Sequence, residues 1–308
     1  MAITRVSVIG LGSMGTPIAT RLLNAGFKVR GFDIIRRKVS DLTRLGLHPA
    51  ASAKDAMRGA ELILLSLPNW TAVEEAVEGR NGLLSVAQRG QIILDTSTVP
   101  PHETRVMATK LARRGIHWMD APISGSSSQA SLGNMVFMVG GERSVFEKVK
   151  PVLNRIGKKT VYVGKNGDAA MLKLVVNHTL YLNQAAAIEG LVLGVKAGVN
   201  PEIMLDVLTS GAAASDLISS RGKNMLNGNF KPTGSVDIAV KDLALSLDYA
   251  RRLGVMLPVG ALYNQLLLKA YYNGWGRSDA TVVMRIYAEM AGIAGRYGKS
   301  HGWRRAGK

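Results

Sequence analysis

The segment from Ile3 to Asp33 restricts the possible folds more than any other part of the chain. Ile3 to Ile9 is a short, β-rich apolar run, read as a strand. It ends in Gly10-Leu11-Gly12-Ser13-Met14-Gly15. A helical pattern follows through Ile18, Ala19, Leu22 and Leu23 and stops at Asn24-Ala25-Gly26, a carboxy-terminal glycine signal. A second strand runs from Phe27 to Phe32 and ends at Asp33. Gly10 permits a tight turn, Gly12 lets backbone approach a pyrophosphate, and Gly15 lets helix and strand pack closely. The helix amino terminus faces the phosphate charge. Asp33 lies where an acid accepts hydrogen bonds from ribose hydroxyls. This order of strand, glycine turn, helix, strand and acid predicts a dinucleotide site. Asp33 repels a ribose 2′-phosphate and so favours NAD. Arg36 and Arg37 could pair with that phosphate, so NADP stays possible.

The alternation continues. Glu61 to Leu67 holds a buried-type strand closed by Pro68, and Gln91 to Asp95 another, leading into Thr96-Ser97-Thr98 and a helix to Arg114. Ile116 to Asp120 and Met135 to Val139 are further strands, and Val161 to Val163 ends the series. Strands alternating with helices predict an α/β, Rossmann-type doubly wound and mostly parallel sheet. Ligands in such sheets bind beyond the carboxyl ends of the strands, where Pro68, Thr96 and the Asp120 to Ser128 segment begin. That last segment, rich in Ser and Gly, reads as a polar loop whose hydroxyls and N–H groups suit a carboxylate or phosphate.

From Asp168 onward the pattern is helical, with no clear β runs. The expected organisation is a dinucleotide-binding domain over 1–165, an all-helical substrate and dimerisation domain over 166–295 opened by a long helix, and a basic tail over 296–308. The opening helix has almost no charge between Leu174 and Ala187, so it should be buried on most sides, by other helices or a second copy. Lys173 and Asn177 stand four residues apart on it and share a face. The first half is expected to bring a cofactor to this face, and the second to close a pocket over it.

Composition removes several function classes. The chain has no cysteine, which excludes disulfides and thiolate chemistry. Its five histidines are dispersed without metal-ligand spacing, so no metal is expected. No apolar run reaches a membrane span, and no signal-peptide layout opens the chain, so a cytoplasmic protein is expected. The net charge of +17 lacks an aromatic-interleaved basic stripe and reads as a surface drawing in anionic ligands, not as a nucleic-acid footprint.

With both halves read, the chain resembles the β-hydroxyacid dehydrogenase family from its start to about Gly292. Four ordered motifs carry the resemblance: Gly10-Leu-Gly-Ser-Met-Gly15, Asp120-Ala-Pro-Ile-Ser-Gly125, the glycine-rich entry to Lys173 and Asn177, and Lys241-Asp242-Leu243. It implies that Lys173 is the general acid/base, that Asn177 positions the substrate, and that Ser124 and Gly125, with Ser126, anchor its carboxylate. Cofactor contacts are implied along Gly10, Leu11, Gly12, Ser13, Met14 and Gly15, and at Asp33, Leu67, Pro68, Thr96 and Lys241. The chemistry agrees: loss of a hydride from an alcohol needs a base for the hydroxyl proton, and a lysine serves if burial or nearby positive charge lowers its pKa toward operating pH.

The implied function is hydride transfer between NAD(P) and a small 3-hydroxy acid of the 3-hydroxyisobutyrate, serine, glycerate or threonate type, in a homodimer or homotetramer. An NADPH-dependent semialdehyde or glyoxylate reductase of the same family is the alternative. A redox-dead, nucleic-acid-associated relative is disfavoured by Lys173. Val176 stands where the 6-phosphogluconate branch has a histidine, and the sequence does not carry that branch's long carboxy-terminal extension, so 6-phosphogluconate is not the expected substrate. Ser126, Ser127 and Ser128 stand where the family often has glycine.

Overall fold

The computed structural model describes residues 3–296; residues 297–308 of the expected basic tail lie outside the described residues. Contacts divide the chain into two compact units, Met1–Val175 and Val176–Lys308.

The first unit is built from β1 (Arg5–Ile9), α1 (Gly15–Asn24), β2 (Lys28–Phe32), α2 (Arg36–Thr43), β3 (His48–Pro49), α3 (Ala53–Met57), β4 (Leu62–Leu65) and α4 (Trp70–Glu78). It continues with β5 (Ile92–Asp95), α5 (Pro101–Ala112), β6 (His117–Asp120), β7 (Ile123–Ser124), α6 (Ser127–Ser131), β8 (Val136–Gly140), α7 (Arg143–Ile156) and β9 (Lys159–Gly164). The sheet order is β3-β2-β1-β4-β5-β6-β8-β7, with β9 paired to β8. It is parallel from β3 to β6, and β8 runs antiparallel to β6 and β7. Strand order reverses between β1 and β4, the switch point where doubly wound sheets bind ligands. Gly10 follows β1 at that point.

Both faces of this sheet are covered, which is why β4 reads Leu62-Ile63-Leu64-Leu65 without alternation. Leu62 and Leu64 enter one core with Val6, Val8, Ile18 and Leu22. Ile63 and Leu65 enter the other with Ile9, Met107, Leu111 and Trp118. Three short elements escape periodicity: β3, β7 and α6. The Asp120 to Ser128 segment is therefore not an open loop. Ser126 caps α6, and its reciprocal bonds with Gln129 form a capping box that lets a serine run start a helix.

A long helix, α8 (Asp168–Lys196), runs unbroken through the division at Val175/Val176. Its first turns belong to the first unit because Asp120 holds them. One carboxylate oxygen accepts from the Gly167 N–H (3.0 Å), the other from the Ala170 N–H (2.9 Å). Burial pushes the Asp120 pKa up against these two bonds, which favour its charged form.

The second unit adds α9 (Pro201–Ser210), α10 (Asp216–Leu226), α11 (Val236–Arg252), α12 (Pro258–Ala270) and α13 (Met284–Met290). Its core gathers Ile188, Leu191, Met225, Leu243, Leu267 and Met284. Apolar residues lie all round α8, yet Val175 and Leu193 remain exposed, so burial of this helix is less complete than its composition predicts. Among the described residues no helix is long and apolar enough to cross a membrane.

Candidate active site

The glycine turn has the shape its spacing predicts. Gly10 takes φ +89°, and a Cβ there would collide with the Ser66 carbonyl oxygen. A Cβ on Gly15 would strike the carbonyl of Gly10. At Gly12 it would meet nothing within 4 Å. Two glycines therefore close the turn, and the third leaves its backbone open to a ligand. The first turn of α1 has no side-chain cap; the Thr16 N–H donates to the Gly12 carbonyl (3.0 Å) and Pro17 has no N–H, which leaves the Gly15 N–H at the helix start for an anion. This cradle fits a dinucleotide pyrophosphate.

Asp33 is buried and braces the turn. One carboxylate oxygen accepts from the Leu11 N–H (2.7 Å) and the other from the Ile35 N–H (2.8 Å). Lys38, not Arg36 or Arg37, is the cation beside it, with Nζ 3.5 Å from Oδ2. Gly12, Ser13, Thr16 and Lys38 line a groove of about 570 Å³ together with Ser127 and Ser128. Further along the strand ends, the Thr96 hydroxyl donates to the Leu65 carbonyl (2.7 Å), and the Leu67 N–H donates to the Ser97 hydroxyl (2.9 Å). These bonds tie the segments after β4 and β5 together, and Pro68 is exposed next to Leu67.

Ser124 ends β7, half-buried, and Gly125 follows at φ +142°. The Ser126 hydroxyl is engaged locally: it accepts from the Gln129 N–H (3.3 Å) and lies 2.8 Å from the Ser128 hydroxyl. Gln129 in turn accepts from the Ser126 N–H (2.8 Å). The structure thus separates Ser124 and Gly125 from the serines after them. Ser126 shapes the segment, while Ser127 and Ser128 face the glycine-turn groove.

On α8, Lys173 is half-buried and Asn177 is 3% exposed. The Asn177 side-chain N–H donates to Asp242 Oδ2 (2.7 Å), and Lys241 Nζ lies 2.8 Å from Asp242 Oδ1. Tyr181, one turn beyond Asn177, also bonds to Asp242, and burial with that neighbouring charge pushes its phenol well above the ordinary value. The Lys241-Asp242-Leu243 motif implies a role for Lys241 alone; the structure adds Asp242, of the same motif, and Tyr181, which no motif contains. The spacing 173, 177, 181 was the available signal for Tyr181, since it marks one helix face.

Further polar side chains of the second unit have local partners or surroundings. Ser215 caps α10, and Arg221 pairs with Asp279 at 3.3 Å. His178 is half-buried, and burial lowers its pKa. Among the described residues no three side chains gather as metal ligands would.

The family model for the NAD binding domain of 6-phosphogluconate dehydrogenase matches residues 5–164. That for the NAD-binding region of NADP-dependent 3-hydroxyisobutyrate dehydrogenase matches residues 167–287. The chain is 35% identical to 2-(hydroxymethyl)glutarate dehydrogenase of Eubacterium barkeri, over 94% of this chain and 97% of the relative. The chain belongs to the β-hydroxyacid dehydrogenase family. L-threonate dehydrogenase of Cupriavidus necator, another relative, is 32% identical over 92% of this chain and 95% of its own. A crystal structure of 3-hydroxyisobutyrate dehydrogenase from Salmonella typhimurium superposes with a TM-score of 0.83 at 28% identity, covering 92% of this chain and 99% of that one. This β-hydroxyacid dehydrogenase is an NAD(P)-dependent oxidoreductase of 3-hydroxy acids.

Proposed function

We propose that this chain interconverts a small 3-hydroxy acid and its semialdehyde or 3-keto acid, with Lys173 holding the proton of the substrate hydroxyl. The observation that carries this reading is the α8 face, where half-buried Lys173 precedes by one turn an asparagine fixed by a buried carboxylate. When bound, the nicotinamide supplies or accepts the hydride. Lys173 takes the hydroxyl proton on oxidation and returns it to the carbonyl oxygen on reduction. Asn177 orients the hydroxyl without titrating. Ser124 and the Gly125 backbone anchor the carboxylate, and Thr96 and Lys241 contact the nicotinamide. Substrates of the 3-hydroxyisobutyrate, serine, glycerate and threonate type carry the hydroxyl and carboxylate that these roles require, as does the branched, two-carboxylate acid named for the Eubacterium barkeri relative.

NAD is the preferred cofactor on this reading, because Asp33 presents its carboxylate beside the turn. Lys38 favours the alternative, an NADPH-dependent reductase of a semialdehyde or glyoxylate, since its ammonium stands beside Asp33 where a 2′-phosphate would need a cation. The unit of function is a homodimer or homotetramer in the cytoplasm. Exposed Ile203 and Val207 on α9 and Val259 and Leu262 on α12 support association, because apolar side chains at helical spacing form faces rather than scattered points.

The deciding experiment is Lys173→Ala. Hydroxy-acid oxidation should fall by roughly two to four orders of magnitude, the usual worth of a general acid/base, while cofactor binding survives. An unchanged rate removes Lys173 from the chemistry. A substrate panel followed by nicotinamide absorbance, with both cofactors, then selects the acid.

A further inference from the structure

The amino ends of β1, β2 and β3 carry a second cradle, at the opposite edge of the sheet from the glycine turn. Arg5 and Ser7 project from one face of β1, alternating with core residues Val6 and Val8 on the other. In parallel register Arg5 lies against Lys28 of β2, and Ser7 against Arg30. Arg30 in turn lies against His48 of β3. At the amino end of this face the basic residues come as two register pairs, Arg5 with Lys28 and Arg30 with His48, beside Ser7, which is buried against the Ala56 carbonyl. Arg58, just after α3, completes the rim of a groove of about 440 Å³ lined by these residues.

Placing like charges side by side costs Coulomb energy unless an opposite charge joins them. Two carboxylates do so in part. Asp55 pairs with Arg30 at 3.1 Å, and Glu61 with Arg5 at 3.6 Å. The same two guanidinium groups are fixed by backbone oxygens: Arg5 donates to the Gly59 carbonyl (2.6 Å), and Arg30 to that of Arg58 (3.4 Å). Among the described residues Lys28 and Arg58 form no ion pair within 4 Å, although Arg58 also lies near enough to act on the Asp55 charge that Arg30 engages. Four permanent cations against two carboxylates leave an excess of two positive charges around one concavity, with His48 available as a further donor.

We propose that this cradle is an anion site for a small, multiply charged phosphate compound. The excess charge calls for an anion of at least two charges, and Arg with Lys is the donor set that phosphate oxygens take. The volume lies within the range of small-ligand sites, with room for a phosphate chain or a phosphorylated metabolite. A concave cradle favours such a ligand over a duplex lying across the surface. This site would absorb part of the +17 charge that hydride transfer leaves without a role.

Calorimetric titration of the enzyme saturated with NAD(H) tests this, with tripolyphosphate and orthophosphate as probes at about 0.15 M salt, where long-range screening is strong. Saturable binding of one anion per chain is expected. It should weaken roughly tenfold in Lys28→Ala and again in Arg58→Ala, the usual worth of one charge-assisted contact. Lys28→Arg should retain it, and cofactor affinity should not change in any variant. Tighter binding of tripolyphosphate assigns a chain-length site, and equal binding assigns a single phosphate subsite. Binding that never saturates, that survives both alanine substitutions, or that appears only with a DNA duplex overturns the proposal. These readouts are independent of turnover, so they stand apart from the Lys173 test.

Discussion

Asn177 of α8 donates a 2.7 Å hydrogen bond to Asp242 of α11, and both side chains are buried. That bond fixes which end of the amide points into the protein. On the proposed reading Asn177 positions a substrate hydroxyl, which it can do only while its own rotation is blocked, and Asp242 then acts through it as a positioning residue. We predict that Asp242→Ala lowers kcat by at least about tenfold, the equivalent of one hydrogen bond to a charged group, with little change in cofactor Kd. Asp242→Asn keeps an acceptor for Asn177 and should recover much of the loss. Equal rates in the two variants would remove Asp242 from this role.

The Ser126–Gln129 capping box bears on how the preceding Ser124-Gly125 is held. A capping serine contributes about 1 kcal/mol to its helix. We predict that Ser126→Ala costs about that much in chemical denaturation and raises KM for the hydroxy acid more than KM for the cofactor. Ser128→Ala, whose position lines the glycine-turn groove, should show the reverse pattern. If both variants raise the same KM, the division between the serines is wrong.

His178 gives an acid-side pH dependence. Burial lowers its folded pKa below the ordinary 6.5, so the folded state binds this proton less readily than the unfolded chain. Its contribution is fully present above pH 6.5 and is lost as the pH falls toward the lowered folded value. We predict that the drop in Tm from pH 7.5 to 5.5 becomes smaller in His178→Gln. The ring packs on Gly260, where a Cβ would collide with its Cε1. Gly260→Ala should therefore destabilise the second unit by roughly 1–3 kcal/mol, as overpacking does.

Asp33 accepts two backbone N–H bonds as well as standing near Lys38. Its removal should loosen the glycine turn and shift cofactor choice together. We predict that Asp33→Ser lowers kcat/KM for NAD by about tenfold or more while that for NADP falls less, since a hydroxyl no longer repels the 2′-phosphate. In Lys38→Glu the NADP rate should fall most. Steady-state kinetics with both cofactors, in wild type and the two variants, checks each outcome.

Much of this protein is legible from the chain alone. The strand–glycine–helix–strand–acid order from Ile3 to Asp33 is legible in spacing: Gly15 answers a contact with Gly10 in its own turn, Gly10 one with Ser66 at the neighbouring strand end, and Gly12 leaves its backbone open. The β4 run and the change to helical pattern after Asp168 likewise follow from periodicity and burial, so the doubly wound sheet and the helical second half were predictable. Short elements were not. His48-Pro49 and Ile123-Ser124 are two-residue strands whose pairing depends on neighbours far along the chain, and α6 exists through one capping box.

The site divides the same way. Lys173 and Asn177 share a helix face by spacing alone. What holds Asn177 comes from a carboxylate 65 residues later, and no local pattern says which of two adjacent residues, Lys241 or Asp242, turns inward. The basic cradle is the extreme case: Arg5, Lys28, Arg30, His48 and Arg58 are scattered cations in the sequence, and only strand register makes them neighbours. Local geometry is written in spacing, whereas charge and hydrogen-bond partnership are decided by which distant segments the folded sheet and helices bring together.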